Sequence, residues 1–529
     1  MSFSLATRLQ HNAEDFPDRP VFIYASGKSN WKTVTYRQLA QRADRFTCGI
    51  SSLGIQPGTR AALMLPPDID FFALVFAILR CGVVPVIADP IMGLKKVTPC
   101  LAESVPRIYV GSPLSQAIRI LFGWGRESLE WKLTLSQIAR AGKGDSLPAP
   151  LSTDPQSEAA IIYTSGSTGL PKGAIYTADN FTAQIEILSK ALNLRGDEID
   201  LPASPLFAII DCLLGVTAVV PDMRFPAPAK VDPVRMVDAI QTFGVNTMFV
   251  SPAALARVAR WGEEHGTKLE SLKKVLTAGA PAPVEIQEKF VSLLPADGEL
   301  FSIYGATEAL PISIVSSREI LSETRYLTAQ GAGVCIGRPV DDMQVYILPL
   351  SDGALSLAEG LPQGEIGEIA VCSPAVSKRY VARQGSNRLA KIYAENGEII
   401  HRTGDVGYFD DQGRLWYCGR KSQRVMTSDG TLFTEPVEGI FNAHPAVYRS
   451  ALIGVEKGNT KEAWLWVELN PGARRMDQNQ LKLDLLELAK SHEMTRSIRN
   501  ILFHPAFPTD ARHNSKIVRE KLALEAERR

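Results

Sequence analysis

Five short runs, Ala61–Leu65, Val83–Ala88, Ala159–Tyr163, Thr247–Val250 and Lys274–Thr277, are apolar and β-branched, and each leads into a polar or Gly/Pro-marked turn. Strands that are apolar on both faces belong inside a parallel sheet covered by helices. The stretches between them fit that role. In Tyr36–Leu53, apolar Leu39, Ala43, Phe46, Ile50 and Leu53 keep three- and four-residue spacing and stop before Gly54, which predicts a crossover helix. The body is therefore expected to be α/β. From about Ile336 the texture becomes alternating and turn-punctuated (Gln344–Pro349, Glu368–Val371, Leu415–Cys418), as in an antiparallel or barrel-like section. After Gly419 the Asp429-Gly430 turn and the helical pattern of Gln478–His492 predict a small α+β domain. A chain of 529 residues is too long for one core and has room for several packed units.

Charge narrows the partners. Lys plus Arg and Asp plus Glu balance at 57 each, so nothing rewards the counterion release that nucleic acid binding requires, and a small-molecule substrate is expected. Seven cysteines (48, 81, 100, 212, 335, 372, 418) are scattered singly, with no C-x-x-C pair and an odd count. That usage fits a reducing, cytoplasmic setting. The N-terminal residues lack a signal-peptide pattern, and the most apolar runs, Phe71–Leu79 and Phe207–Pro221, are interrupted by Arg80 and Asp211. No transmembrane segment is expected.

The segment Tyr163-Thr-Ser-Gly-Ser-Thr-Gly-Leu-Pro-Lys-Gly173 follows one of these strands. Its glycines Gly166 and Gly169 let backbone amides converge on anionic oxygens, and Thr164, Ser165, Ser167, Thr168 and Lys172 supply further donors. It is not a Walker A loop, because Lys172 follows Pro171 and no Ser or Thr succeeds it. Nor is it a nucleophile elbow, since Ser165 stands where the first glycine of G-x-S-x-G belongs.

This eleven-residue string resembles the phosphate loop of the adenylate-forming superfamily, which contains acyl-CoA synthetases, luciferases and nonribosomal-peptide adenylation domains. Further motifs follow in that family's order across nearly the whole chain. Thr277-Ala-Gly279-Ala280-Pro281 resembles its adenine-pocket segment, Tyr304-Gly305-Ala-Thr307-Glu308 its Y-G-x-T-E motif, Arg402-Thr-Gly-Asp405 its ribose motif, and Gly419-Arg420 its hinge. Lys516 occupies the position of its adenylation lysine. The resemblance implies two α/β subdomains plus a β-barrel-like section over 1–418, and a C-terminal lid domain at 419–529. It implies ATP and Mg²⁺ as cofactors, with catalytic roles for Lys516, Glu308 and Thr307. Thr168 and Glu308 would hold the metal. Each role is physically sound: the Tyr304 ring can stack on adenine, Asp405 can accept from ribose hydroxyls, and Glu308 is a hard oxygen ligand. Lys516 would stabilise charge as a carboxylate attacks the α-phosphorus.

Departures from the family pattern point to one branch. Ala208, in Pro205-Leu-Phe-Ala-Ile-Ile-Asp211, stands where many members carry histidine. In the hinge, Ser422 replaces a common acidic residue, and Met426-Thr-Ser-Asp-Gly-Thr-Leu lacks the K-x-x-G pattern that serves the CoA passage of ligases. Together with Arg512-His-Asn-Ser-Lys516 and Thr434–Pro445, these resemble the β-lactone synthetases of long-chain olefin biosynthesis. That branch implies a long-chain 2-alkyl-3-hydroxy acid as substrate, whose own hydroxyl closes a β-lactone after adenylation, and complexes with other enzymes of the same pathway. A long-chain acyl-CoA or acyl-carrier ligase is the alternative, and a nucleotide-binding module without catalysis is a third reading. Leu206, Phe207, Ile210, Leu213 and Leu214 are the candidates for the acyl pocket.

Overall fold

The structure, a computed structural model, describes residues 5–27, 30–151, 154–163, 171–221, 231–356, 360–395, 397–458, 460–509 and 517–528. The five apolar runs form strands at Arg60–Met64, Val84–Ile87, Glu158–Tyr163, Thr247–Val250 and Lys274–Ala278. They divide between two sheets. The first three belong to a seven-stranded sheet ordered Arg379–Tyr380, Gly173–Thr177, Glu158–Tyr163, Val84–Ile87, Arg60–Met64, Ile108–Gly111, Trp131–Leu133. Thr247–Val250 and Lys274–Ala278 lie in a nine-stranded sheet, parallel from Glu299–Ala306 through Pro20–Ala25 and flanked by antiparallel edges.

Alternation along each strand assigns its faces. Phe22 points between the two sheets and Ile23 points outward, under the helices Pro233–Phe243, Pro252–Glu264 and Val284–Val291. Between the sheets lie Tyr36–Ser52, Ile69–Arg80 and Pro205–Leu214, whose buried side chains join one core with Leu63 and Val110 of one sheet and Phe249 and Ile303 of the other. Capping fixes where these helices start. Thr35 and Gln38 form a capping box, and the Asp68 side chain accepts from Phe71 N. Ile69–Arg80 is apolar on nearly every side because all of it but Asp70 is buried, and Phe72 stacks on Phe22 with ring centroids 4.7 Å apart. Truncating Phe72 to Ala would cost about 3–5 kcal/mol.

The alternating section expected to be barrel-like is an open antiparallel sheet. Val334–Cys335 and Gln344–Leu348 end it on opposite sides, and among the described residues no pairing closes it. Chain crossings interlock it with the other two. Arg338–Pro339 joins the nine-stranded sheet and Arg379–Tyr380 the seven-stranded one.

A smaller three-stranded sheet, Val447–Lys457, Thr460–Leu469 and Asn500–Phe503, completes the chain. Leu452, Leu465 and Val467 pack on one face with Phe441 and Leu485, while Ala451, Ile453 and Trp466 pack on the other with Phe507 and Leu522. The helix Thr434–Asn442 also touches the body. Gly439 lies so close to Arg325–Ala329 that a Cβ would stand 2.4 Å from Thr328 O.

Candidate active site

The strand Glu299–Ala306 turns back into Ala309–Ser316 through Thr307 and Glu308 alone, since Ala306 pairs with Ala309. Such a sharp return, with a register shift between Tyr304 and Ala306, needs little bulk at position 305. A Cβ on Gly305 would lie 2.7 Å from a Leu310 methyl. The turn presents Glu308, which is buried. Its Oε1 accepts from Tyr380 Oη at 2.6 Å, and its carbonyl accepts from Ser377 N at 2.8 Å. Thr307 is held as well, its carbonyl accepting from Tyr176 Oη.

Tyr380 arrives from the neighbouring sheet, where Arg379–Tyr380 pairs with Gly173–Thr177. Its ring lies between two amines, Lys172 Nζ at 5.2 Å and Lys391 Nζ at 5.8 Å from the centroid. Burial lowers the pKa of Lys172 while Glu308 opposes the shift. The same opposition acts on Lys391, whose amine burial pushes down to about 7 as it donates to Ser377 O. Across the strand from Lys391 stands His401, held well below its ordinary range by burial and by the Lys391 charge. His401 Nδ1 donates to Ala390 O at 3.1 Å.

A second group surrounds Asp405. Its Oδ2 accepts from Tyr304 Oη at 2.8 Å, and its Oδ1 pairs at 2.9 Å with Arg420, its cross-strand partner. Burial, and then the Asp405 carboxylate, push the Tyr304 hydroxyl well above the usual phenol range. Asp405 is likewise the largest stabiliser of the Arg420 charge, to which Glu308 also contributes. Arg420 thereby connects the two groups electrostatically. Arg402, three residues before Asp405, serves a different purpose. It is buried against Glu368 at 2.5 Å, caps the carbonyls of Ser351, Gly353 and Leu389, and shares Glu368 with Lys421 at 2.8 Å.

Gly279, Ala280 and Pro281 follow Lys274–Ala278 at the C-terminal ends of the parallel strands, where open α/β sheets bind ligands. Gly279 takes φ +96°, a region that favours glycine, and Thr277 Oγ1 is buried without a hydrogen-bond partner among the described residues. Thr164, Ser165, Gly166, Ser167, Thr168, Gly169 and Lys516 lie outside the described residues. Their flanks fix where they attach. Tyr163 pairs with Gly173, so the loop joins adjacent antiparallel strands, and Ile517 bridges to Thr509.

A carboxylate anchored on one oxygen, two amines near the ring of the tyrosine that anchors it, and a carboxylate–guanidinium pair hydrogen-bonded to a second tyrosine make up the site. A family model described as AMP-binding enzyme matches residues 9–381. The chain belongs to this family of adenylate-forming enzymes. It is 40% identical over 547 residues to an olefin beta-lactone synthetase of Stenotrophomonas maltophilia, covering 98% of this chain and 97% of that protein. A protein of the same description from Xanthomonas campestris is 40% identical over 546 residues, again covering 98% and 97%. A feruloyl-CoA synthase of Amycolatopsis is 26% identical over 474 residues, 88% of this chain and 89% of that one. Among solved structures, the amide bond synthetase of Marinactinospora thermotolerans aligns with TM-score 0.81 at 22% identity, covering 99% of each chain. The o-succinylbenzoate CoA synthetase of Bacillus subtilis, in complex with ATP and magnesium ion, aligns at 0.76 and 21%, covering 98% and 99%. These likenesses show the same fold.

In this adenylate-forming fold some of the described motif residues come together: Lys172 approaches Glu308 through Tyr380, and Tyr304, Asp405 and Arg420 form one cluster, whereas Arg402 stands apart on Glu368. Tyr380, Lys391 and His401 were not singled out by sequence. The one available signal was a lysine within the otherwise apolar strand Lys391–Tyr393. The acyl-pocket candidates separate. Phe207 and Ile210 line a small cavity with Asp200, Asp211, Thr247 and Phe249, Phe207 stacking on Phe249 at 3.4 Å, whereas Leu213 is fully buried core. Burial raises Asp200 to about 8, and burial and then the Asp200 charge raise Asp211 well above the usual carboxylate range.

Proposed function

We propose that the protein activates a long-chain 2-alkyl-3-hydroxy acid with ATP and then closes it to a β-lactone. In the first step the substrate carboxylate attacks the α-phosphorus and displaces pyrophosphate, forming the acyl-adenylate. In the second, the 3-hydroxyl oxygen attacks the activated carbonyl, its proton leaves to solvent, and the carbonyl–phosphate bond breaks to release AMP. The observation that carries this reading is the 40% identity, over 98% of the chain, to two proteins named olefin beta-lactone synthetase. The hinge loop supports it. Val425–Thr427 and Gly430–Leu432 close on the two residues Ser428 and Asp429, a tight hairpin where thioester-forming ligases carry K-x-x-G.

An internal nucleophile needs no second substrate site. Effective molarities reach roughly 10⁵–10⁸ M in well-oriented cases, less where a strained four-membered ring must form. Lys172 and the residues of the 164–169 loop would hold the phosphates, Gly279–Pro281 and Tyr304 the adenine, and Asp405 with Arg420 the ribose. Lys516 and Thr307 would face the reacting carboxylate. Glu308 suits Mg²⁺ because its Oε1 is already satisfied by Tyr380, leaving Oε2, and Thr168 would complete the set. Magnesium, when bound, would neutralise phosphate charge. The lid would comprise 419–529, turning at Gly419-Arg420 on a body of 1–418. A cytoplasmic enzyme acting beside others of its pathway fits the same reading.

The deciding experiment supplies ATP, Mg²⁺ and a racemic 2-alkyl-3-hydroxy acid without CoA and weighs the product. Loss of one water from the acid with an equal amount of AMP is expected. Strict dependence of AMP release on CoA would point to a thioester ligase instead.

A further inference from the structure

The helix Pro113–Leu121 is built firmly yet buries none of its residues. Ser112 caps it by accepting from Ser115 N at 3.2 Å, and Gln116 Nε2 ties it to Leu133 O at 3.0 Å on the edge strand Trp131–Leu133. Ile118, with Phe122 just beyond the helix, leans inward on the core beneath the sheet. The exposed face carries Leu114, Ala117 and Leu121 at helical spacing, with Ile120 beside them. Leu114, Ile120 and Leu121 are 72%, 65% and 79% exposed. Other exposed apolar residues are mostly scattered singly, whereas these share one helix.

Its surroundings are basic. The neighbouring helix Leu94–Ser104, joined to the turn after this one where Trp124 Nε1 donates to Thr98 Oγ1 at 2.8 Å, exposes Lys95 and Lys96, and Val105 beyond its end is 56% exposed. Arg126 and Lys132 are exposed just past the apolar face. Residues 94–132 hold six basic and three acidic side chains in a chain that is neutral overall. Two of those acids are already engaged, Glu103 with Arg383 at 2.7 Å and Glu130 with Arg107 at 2.5 Å.

From this pairing of a solvent-facing apolar helix with a basic rim, we infer that the helix Pro113–Leu121 docks the protein on an anionic lipid surface. Leu114, Ile120 and Leu121 would enter the headgroup boundary while Lys95, Lys96, Arg126 and Lys132 meet the negative headgroups. Charge favours this occupant over a second copy of the chain, which would bring like charges together. The inference is independent of the reaction catalysed, because it concerns where the protein sits.

Sedimentation of the full chain with vesicles tests it, using phosphatidylcholine alone and phosphatidylcholine mixed with phosphatidylglycerol. The protein is expected to pellet with the anionic vesicles at low salt, less so as salt rises. Arg126→Gln and Lys132→Gln should each weaken partitioning roughly fivefold. Leu114→Ser with Leu121→Ser should abolish it while leaving pyrophosphate exchange on a water-soluble acid unchanged. The inference fails if the wild type stays in the supernatant with anionic vesicles, if it pellets equally with neutral ones, or if the leucine variant still pellets. It fails equally if velocity sedimentation shows a wild-type dimer that the leucine variant converts to monomer, since the face would then be a subunit interface.

Discussion

Tyr380→Phe removes one oxygen from the centre of the site and nothing else. The ring stays between Lys172 and Lys391, but Glu308 Oε1 loses the 2.6 Å hydrogen bond that orients it. A hydrogen bond to a charged group contributes about 1.5–3 kcal/mol, and a buried carboxylate left unsatisfied has little water to replace it. At 1.36 kcal/mol per tenfold in rate, kcat/KM for ATP–pyrophosphate exchange should fall roughly 10- to 100-fold. A purely structural tyrosine would lower the melting temperature alone. If Tyr380 aims Glu308 at Mg²⁺, half-saturating Mg²⁺ must also rise, and Glu308→Gln must show the same displacement with acid binding little changed. The two substitutions act on one interaction, so combining them should add little beyond Glu308→Gln. An unchanged Mg²⁺ titration in Tyr380→Phe, or fully additive losses in the double variant, would refute the reasoning.

Lys516→Ala should reduce pyrophosphate exchange by about 100- to 1,000-fold, the range for losing one preorganised charge stabiliser; exchange within a few-fold of wild type would remove Lys516 from the chemistry. Arg402→Ala strands the buried Glu368 carboxylate with only Lys421 beside it among the described residues, and should cost about 3–5 kcal/mol in denaturant unfolding while the Asp405–Arg420 pair stays in place. Asp211→Asn tests a pH effect. Burial raises both acids of the Asp200–Asp211 pair, so the folded state holds protons the unfolded chain has lost, and wild-type stability should fall as pH climbs from about 4 towards about 8. The asparagine variant should flatten that slope in urea titrations across the interval; an identical slope would count against it.

Much of the fold was legible because burial on both faces writes itself into composition. Thr247–Val250 and Lys274–Ala278 are apolar or β-branched almost throughout, as strands between helix layers must be, and Tyr36–Ser52 shows one apolar stripe because it has one core-facing side. Periodicity was silent about Ile69–Arg80, which lies between two sheets and has no polar face to set a phase. It was equally silent about closure: alternation in Gln344–Leu348 and Gly367–Cys372 is the same whether the sheet's ends meet or stay apart, and they stay apart. The site divides in the same way. Tyr304, Glu308, Asp405 and Arg420 stand in strings whose order is informative, whereas Tyr380 reaches Glu308 only because a two-residue strand crosses to the edge of another sheet, and Lys391 stands near the Tyr380 ring from a strand of the antiparallel sheet.

That crossing also changes what the motif order means. Arg402 and Asp405 share one four-residue string, yet Arg402 is spent on Glu368 inside the antiparallel sheet and Asp405 alone faces Tyr304. Tyr163 and Gly173, which flank the proposed phosphate loop, pair with each other, and Gly173–Thr177 is the strand that receives Tyr380. A movement of the loop strand would therefore be felt at Glu308 through one hydroxyl. If that loop holds phosphate and Glu308 holds the metal, as proposed, the two become a single event, and Tyr380→Phe is the substitution that would separate them.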